Sequence, residues 1–185
     1  VSANLFRGTG DTLLLPPFTV LRRKGVKIAV GGMTTPALLV GNRERLRGDI
    51  RLGRAESLAG PLLRSMRREG DLVVLLSHSG LDRVSGYDTT GIGAEDFGRQ
   101  FGVGRVRPDL VVLGHSHQIL RDSVIGGVQF VQPPPRAAGV SVVHVTMVMT
   151  DGRYTPVAMR ADLLALDGVI EDPRLARRLT EPVAT

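Results

Sequence analysis

Two short apolar runs in this chain end the same way, in a small residue followed by a histidine. Asp71-Leu-Val-Val-Leu-Leu76 runs into Ser77-His78-Ser79-Gly80, and Pro108-Asp-Leu-Val-Val-Leu113 runs into Gly114-His115-Ser116-His117. Short Val/Leu runs bounded by turn formers predict buried parallel strands. Open α/β sheets bind their ligands beyond the carboxyl ends of such strands. One histidine of this kind would be read as a satisfied core or loop residue. Two runs that deliver three imidazoles to one edge predict a metal site instead, because neutral imidazole is the commonest metal-ligating side chain. His78, His115 and His117 are therefore the candidate ligands. The fourth histidine, His144, sits inside Val142-Val-His-Val-Thr146 with no ligand type beside it, and is read as structural.

The rest of the chain gives these strands a frame. Val1 to Leu5 reads as a strand, with a polar turn over Arg7 to Asp11. Phe18 to Leu21 and Val26 to Val30 form a hairpin that Gly31-Gly32 ends, and Thr34-Thr35-Pro36 begins a loop on the rim of the site. In Arg54 to Glu69, Ala55, Leu58, Ala59, Leu62, Leu63 and Met66 recur at helical spacing, with Gly70 as the cap. Leu81 to Gly93 has no periodicity and reads as an insertion loop; Glu95 to Phe101 reads as a short helix. Beyond Leu120 the pattern turns to strands. Ser123 to Val131 folds about Gly126-Gly127, and Val140 to Met149 pairs with Arg153 to Met159 across Asp151-Gly152. These strands continue a second sheet. Ile170 to Leu179 closes the chain as a helix with Pro173 near its start. Alternating helices and strands with short connections predict a layered α/β domain.

Composition removes several alternatives. No apolar run approaches the ~18 residues of a membrane helix, so no membrane span is expected, and no signal-peptide pattern is visible. The absence of cysteine excludes disulfides and thiolate metal sites. The net charge of +6 is almost all arginine, dispersed over helix faces and turns, and aromatic residues make up 4% of the chain. That is too few for a base-stacking groove, so no nucleic-acid partner is expected. A mildly positive field suits small anionic substrates. Among the remaining polar residues, Asp82 and Asp88 read as turn formers and Asp109 as facing the opposite sheet edge. Asn4 reads as bonding a turn, and Gln132 with Pro133-Pro134-Pro135 as a rigid loop.

Gly114-His115-Ser116-His117 resembles the closing motif of calcineurin-like metallophosphoesterases, and Ser77-His78-Ser79-Gly80 resembles the histidine motif before it. Ser2-Ala3-Asn4-Leu5, Gly25 to Val30 with Thr34-Thr35-Pro36, and Gly127 to Pro133 follow in the order of the 5′-nucleotidase and 2′,3′-cyclic-nucleotide phosphodiesterase branch. The resemblance covers Val1 to about Met149. It implies an α/β fold, part of a layered α/β/β/α metallophosphoesterase sandwich truncated at both ends. Residues 1–160 would be the C-terminal portion of that domain, and 161–185 a linker helix toward a further domain. It also implies a metal-dependent phosphoric ester hydrolase acting on nucleotides or other small phosphate esters, in a periplasmic, secreted or cell-surface parent protein. Two divalent ions, zinc, manganese or similar, would activate water and stabilise the leaving oxygen. His78 and His115 would hold one ion and His117 the other.

The family pattern also includes an Asp-x-His, a bridging Asp and a GNH(E/D) motif, all before the Ser-Ala-Asn-Leu segment. Gly41-Asn42-Arg43-Glu44 echoes the last of these, but Arg replaces His and the segment follows the wrong strand. The catalytic residues are thus expected upstream of Val1, and the isolated chain is expected to be inactive. Two alternatives stand beside this reading: a non-catalytic binding or scaffold domain of the same fold, and a sulfur-ester hydrolase of the same superfamily.

Overall fold

The two aliphatic runs form neighbouring parallel strands at the centre of a six-stranded sheet. The structure is a computed structural model and describes residues 1–35, 37–41, 49–81 and 98–180. In chain order its elements are β1 (Leu5–Arg7), β2 (Phe18–Arg23), β3 (Val26–Thr34), α1 (Ala37–Gly41), β4 (Ile50–Leu52), α2 (Ala55–Glu69) and β5 (Leu72–His78). There follow α3 (Gln100–Val103), β6 (Leu110–Leu113), β7 (Leu120–Ile125), β8 (Val128–Gln132), β9 (Gly139–Thr150), β10 (Arg153–Ala165) and α4 (Pro173–Thr180). The main sheet has the order β2-β3-β5-β6-β8-β7. Strands β3, β5, β6 and β8 run parallel, and β2 and β7 flank them antiparallel as hairpin partners. Strands β9 and β10 form a separate two-stranded sheet, and β1 pairs with β4.

Side-chain alternation along the strands builds two cores. Val73, Leu75, Val111, Leu113, Val128 and Phe130 face one side and meet Leu62, Leu63 and Met66 of α2. Each such side chain contributes about 1.5–3 kcal/mol on full burial. That offsets the ~3 kcal/mol that Pro61, in the interior of α2, costs the helix. On the other face Leu110 and Val131 meet Ala161 of β10 in a smaller cluster, with Val74, Val112, Val143 and Met159 around it. The sheet is thus a layer between a helix and the β9–β10 hairpin. Of the strands expected to continue a second sheet, β7 and β8 instead join the main sheet, and β9 and β10 form the separate one.

Several expectations change. Val1 to Asn4 form no strand; β1 is Leu5–Arg7. Gly31-Gly32 does not end β3, which runs on to Thr34. These glycines are clearances. A Cβ on Gly31 would lie 2.6 Å from Met66 Sδ, and one on Gly32 2.4 Å from the Val1 carbonyl oxygen. Gly70 caps α2 through its N–H to Met66 O, but in extended rather than left-handed backbone. Its missing side chain matters because a Cβ there would come 2.7 Å from Ala29 Cβ. Of the helix expected over Glu95 to Phe101, positions 95–97 lie outside the described residues; a turn at Gly98-Arg99 leads into the helix Gln100–Val103. Strand β10 runs to Ala165, across the boundary expected at 160, and α4 begins at Pro173. Pro36, Asn42 to Glu44, Asp82, Asp88 and the insertion loop from position 82 onward, and the terminal Ala184-Thr185, lie outside the described residues.

Candidate metal site at the strand ends

Register brings the three strand ends level. Thr34 of β3 lies beside His78 of β5, and Ser77 lies beside Leu113 of β6. His78 and the turn after β6 therefore share the carboxyl edge of the sheet. The edge is stitched by backbone bonds: Thr35 N–H donates to the His78 carbonyl at 3.1 Å, and Gly114 N–H donates to Ser79 O at 3.4 Å.

The turn after β6 is strained. His115 has φ 64° and His117 φ 54°, both in the left-handed region. Ser116 N–H donates to Gly114 O at 2.7 Å, closing a γ-turn about His115 in its rare positive-φ form. Non-glycine residues held this way cost of order 1–3 kcal/mol each and cluster at functional sites, where the surroundings over-determine them. Gly114 makes room for the neighbouring ring, since a Cβ there would lie 3.4 Å from His78 Nδ1.

These constraints place the rings of His78 and His115 edge to face with centroids 5.3 Å apart. The pKa of His78 is lowered, first by burial of part of the ring, then by the nearby His115 and His117. The neutral imidazole, the form that ligates metals, is thereby favoured. Beside this edge opens a cleft of ≈ 360 Å³ whose lining includes Val1, Ser2, Thr34, Ser77, His78 and Gly114. Two imidazoles on one tetrahedral ion, with metal–nitrogen bonds of about 2.0–2.1 Å, have ring centres about 5 Å apart. His78 and His115 fit that spacing. Among the described residues no group of three or more His, Cys, Asp or Glu side chains encloses a single ion position. His78 and His115 are thus two imidazole donors at a suitable spacing, without a third beside them among the described residues.

His144 stands apart on β9, where its Nε2 lies 3.2 Å from Asp162 Oδ2 across the β9–β10 hairpin. Asp109 lies at the opposite edge, as expected, held by Arg67. Two sequence readings were too modest. Asn4, 1% exposed, does more than bond a turn: its Nδ2 donates to Thr34 O at 2.8 Å, and Thr34 N–H donates to its Oδ1 at 3.0 Å. It ties the N-terminal segment to the end of β3 next to His78. Gln132 belongs to β8 rather than to the proline loop, and its amide grips Ser116, between the two histidines of the turn. The one signal for either was a polar residue beside buried aliphatics.

No protein-family profile and no curated protein sequence matches the chain. Solved structures do. A calcineurin-like phosphoesterase from Bacillus subtilis superposes with TM-score 0.75 at 17% identity, over 93% of this chain and 57% of that one. A sulfate thiohydrolase from Thermus thermophilus gives 0.72 at 19% identity, over 96% and 30%. A protein assigned as a 5′-nucleotidase from Staphylococcus aureus gives 0.68 at 18% identity, over 97% and 35%. The chain has the mixed α/β metallophosphoesterase-like fold of these enzymes and spans 30–57% of their lengths.

Proposed function

We propose that this chain is the histidine-bearing portion of the catalytic unit of a metal-dependent phosphoric ester hydrolase acting on nucleotides or similar small phosphate esters. The observation that carries the reading is the convergence of His78 and His115, from the ends of adjacent parallel strands, to ring centres 5.3 Å apart in a fold shared with phosphoesterases. His78 and His115 would hold one divalent ion, and His117 would serve the second. Two such ions, zinc, manganese or similar, supply when bound an activated water and polarisation of the phosphoryl group. The chain's own part is to present neutral imidazoles. Burial and mutual repulsion keep His78 unprotonated, the Gly114 gap admits its ring, and Asn4 fixes the neighbouring strand end. The remaining ligands and any bridging carboxylate would come from beyond the described residues.

The likeness to a sulfate thiohydrolase, with a TM-score equal to or above that of the 5′-nucleotidase, supports a second reading as a sulfur-ester hydrolase. Both readings share the site and differ in the group that water attacks, phosphoryl in the first and sulfuryl in the second, and in the alkoxide or thiolate that leaves. No helix among the described residues is long and apolar enough to cross a membrane, and a periplasmic, secreted or cell-surface setting is part of the proposal. The test is turnover by the full-length parent protein, metal-loaded, on a nucleoside monophosphate, a 2′,3′-cyclic nucleotide and cysteine S-sulfate. Phosphate release from the monophosphate, or ring opening of the cyclic nucleotide to a monophosphate, lost on His115→Ala supports the first reading, and sulfate release alone supports the second. Activity untouched by His78→Ala, His115→Ala and His117→Ala defeats both.

A further inference from the structure

We propose that Gln132 is a positioning residue: through the hydroxyl of Ser116 it holds the turn that presents His115 and His117. For its consequence at a metal ion the inference rests on the reading above, but the positioning itself does not. Gln132 ends β8 at 3% exposure, and the pairing of Val112 with Val131 sets it level with Leu113 at the end of β6. A side-chain amide buried there is unfavourable unless both its oxygen and its nitrogen find partners. Both find the same one. The Ser116 hydroxyl donates to Gln132 Oε1 at 3.1 Å and accepts from Nε2 at 3.0 Å. Ser116 is itself 5% exposed, and the residues on either side of it are the two histidines with positive φ.

Left alone, that backbone would relax, because non-glycine residues disfavour the left-handed region. A two-point grip on the residue between the two strained positions is the kind of surrounding constraint such a turn needs. The grip is also well anchored. Pro133-Pro134-Pro135 follow at once, and prolines carry no N–H with which to extend the ladder. Gln132 is therefore the last residue of a rigid strand, reaching sideways under the histidine turn. Gln129, on the same strand and equally buried, serves as an internal contrast, since its amide bonds Asp122 of β7 instead.

The experiment uses the 185-residue chain and the variants Ser116→Ala, Gln132→Leu, Gln132→Glu and Gln129→Leu. Backbone HN–Hα couplings report φ at His115 and His117 without any metal, and zinc titration reports affinity. Ser116→Ala and Gln132→Leu are expected to shift both couplings away from left-handed values and weaken zinc binding about 10–100-fold, as loss of a ligand's supporting contact does. Gln132→Glu keeps an acceptor for the serine hydroxyl and should retain the turn; Gln129→Leu should leave both readouts within about twofold. If Gln132→Leu fails to fold, Ser116→Ala, the loss of one oxygen, carries the test. Unchanged couplings in Ser116→Ala overturn the positioning role whatever zinc does. Collapsed couplings in a chain that binds no zinc even as wild type leave the positioning role standing and remove the metal reading.

Discussion

The two edges of the main sheet carry polar residues in opposite states. At the amino edge the carboxylates are paired with cations and backbone N–H groups. Asp109 accepts from both terminal nitrogens of Arg67, at 2.7 and 2.9 Å, and from Val73 N–H at 2.7 Å. Asp71 accepts from Lys27 N–H at 2.9 Å and lies 3.5 Å from Arg153 Nε, while Arg153 also donates to the carbonyls of Arg67 and Gly70. Every lone pair used there ties one element to another. At the carboxyl edge the polar groups are imidazoles crowded together on strained backbone, and no carboxylate among the described residues completes a cluster with them. Opposite charges satisfied at short range make a clamp, whereas the two imidazoles at the other edge are held close by the sheet register and the turn after β6.

The strongest way to break this contrast is at the histidines. In the full-length parent protein, His115→Ala is expected to abolish measurable hydrolysis and release metal; alanine keeps the Cβ and with it the strain of the positive φ, so the fold loses only the ring's packing. Metal analysis beside kinetics decides it. At the other edge Asp109→Ala is expected to leave metal binding alone and cost about 2–3 kcal/mol, the range for losing hydrogen bonds to a charged group; urea unfolding measures it. A metal affinity that fell with Asp109 would erase the distinction between the edges. Gly114→Ala tests the clearance beside His78. Its Cβ would stand 3.4 Å from Nδ1, a contact that displaces the ring by a few tenths of an ångström and should weaken metal binding several-fold with little effect on folding. Smallest is His144→Ala. Its contact with Asp162 is about half exposed on both sides, so the loss should be within about 1 kcal/mol and leave the site untouched.

Much of this frame was legible because it depends on local pattern. Leu72 to Leu76 and Leu110 to Leu113 are aliphatic throughout, as central parallel strands are, although Leu76 stays exposed, and each hairpin advertises itself with glycine at its turn. The helix over Ala55 to Glu69 follows from its stripe of small and aliphatic residues. What stayed hidden depends on residues far apart in sequence. Gly31-Gly32 looks like a strand stop, yet its function is to let Met66 and Val1 approach. Asn4 meets Thr34 only after the chain has returned through a hairpin. The grip of Gln132 on Ser116 needs the lateral register of β6 and β8, which no periodicity encodes. The repeated strand–small–His pattern foretold that His78 and His115 share one sheet edge, where their rings lie 5.3 Å apart; the register of the strands shows what sets that spacing.

The central claim, that the carboxyl edge of β5 and β6 ligates metal and the rest of the chain does not, is tested most directly by imidazole NMR of the 185-residue chain during zinc titration. With part of a site, binding should be weak but saturable. The resonances of His78, His115 and His117 should move together along one binding curve while those of His144 stay still. A uniform response of all four histidines, or no response at the strand ends, would contradict it.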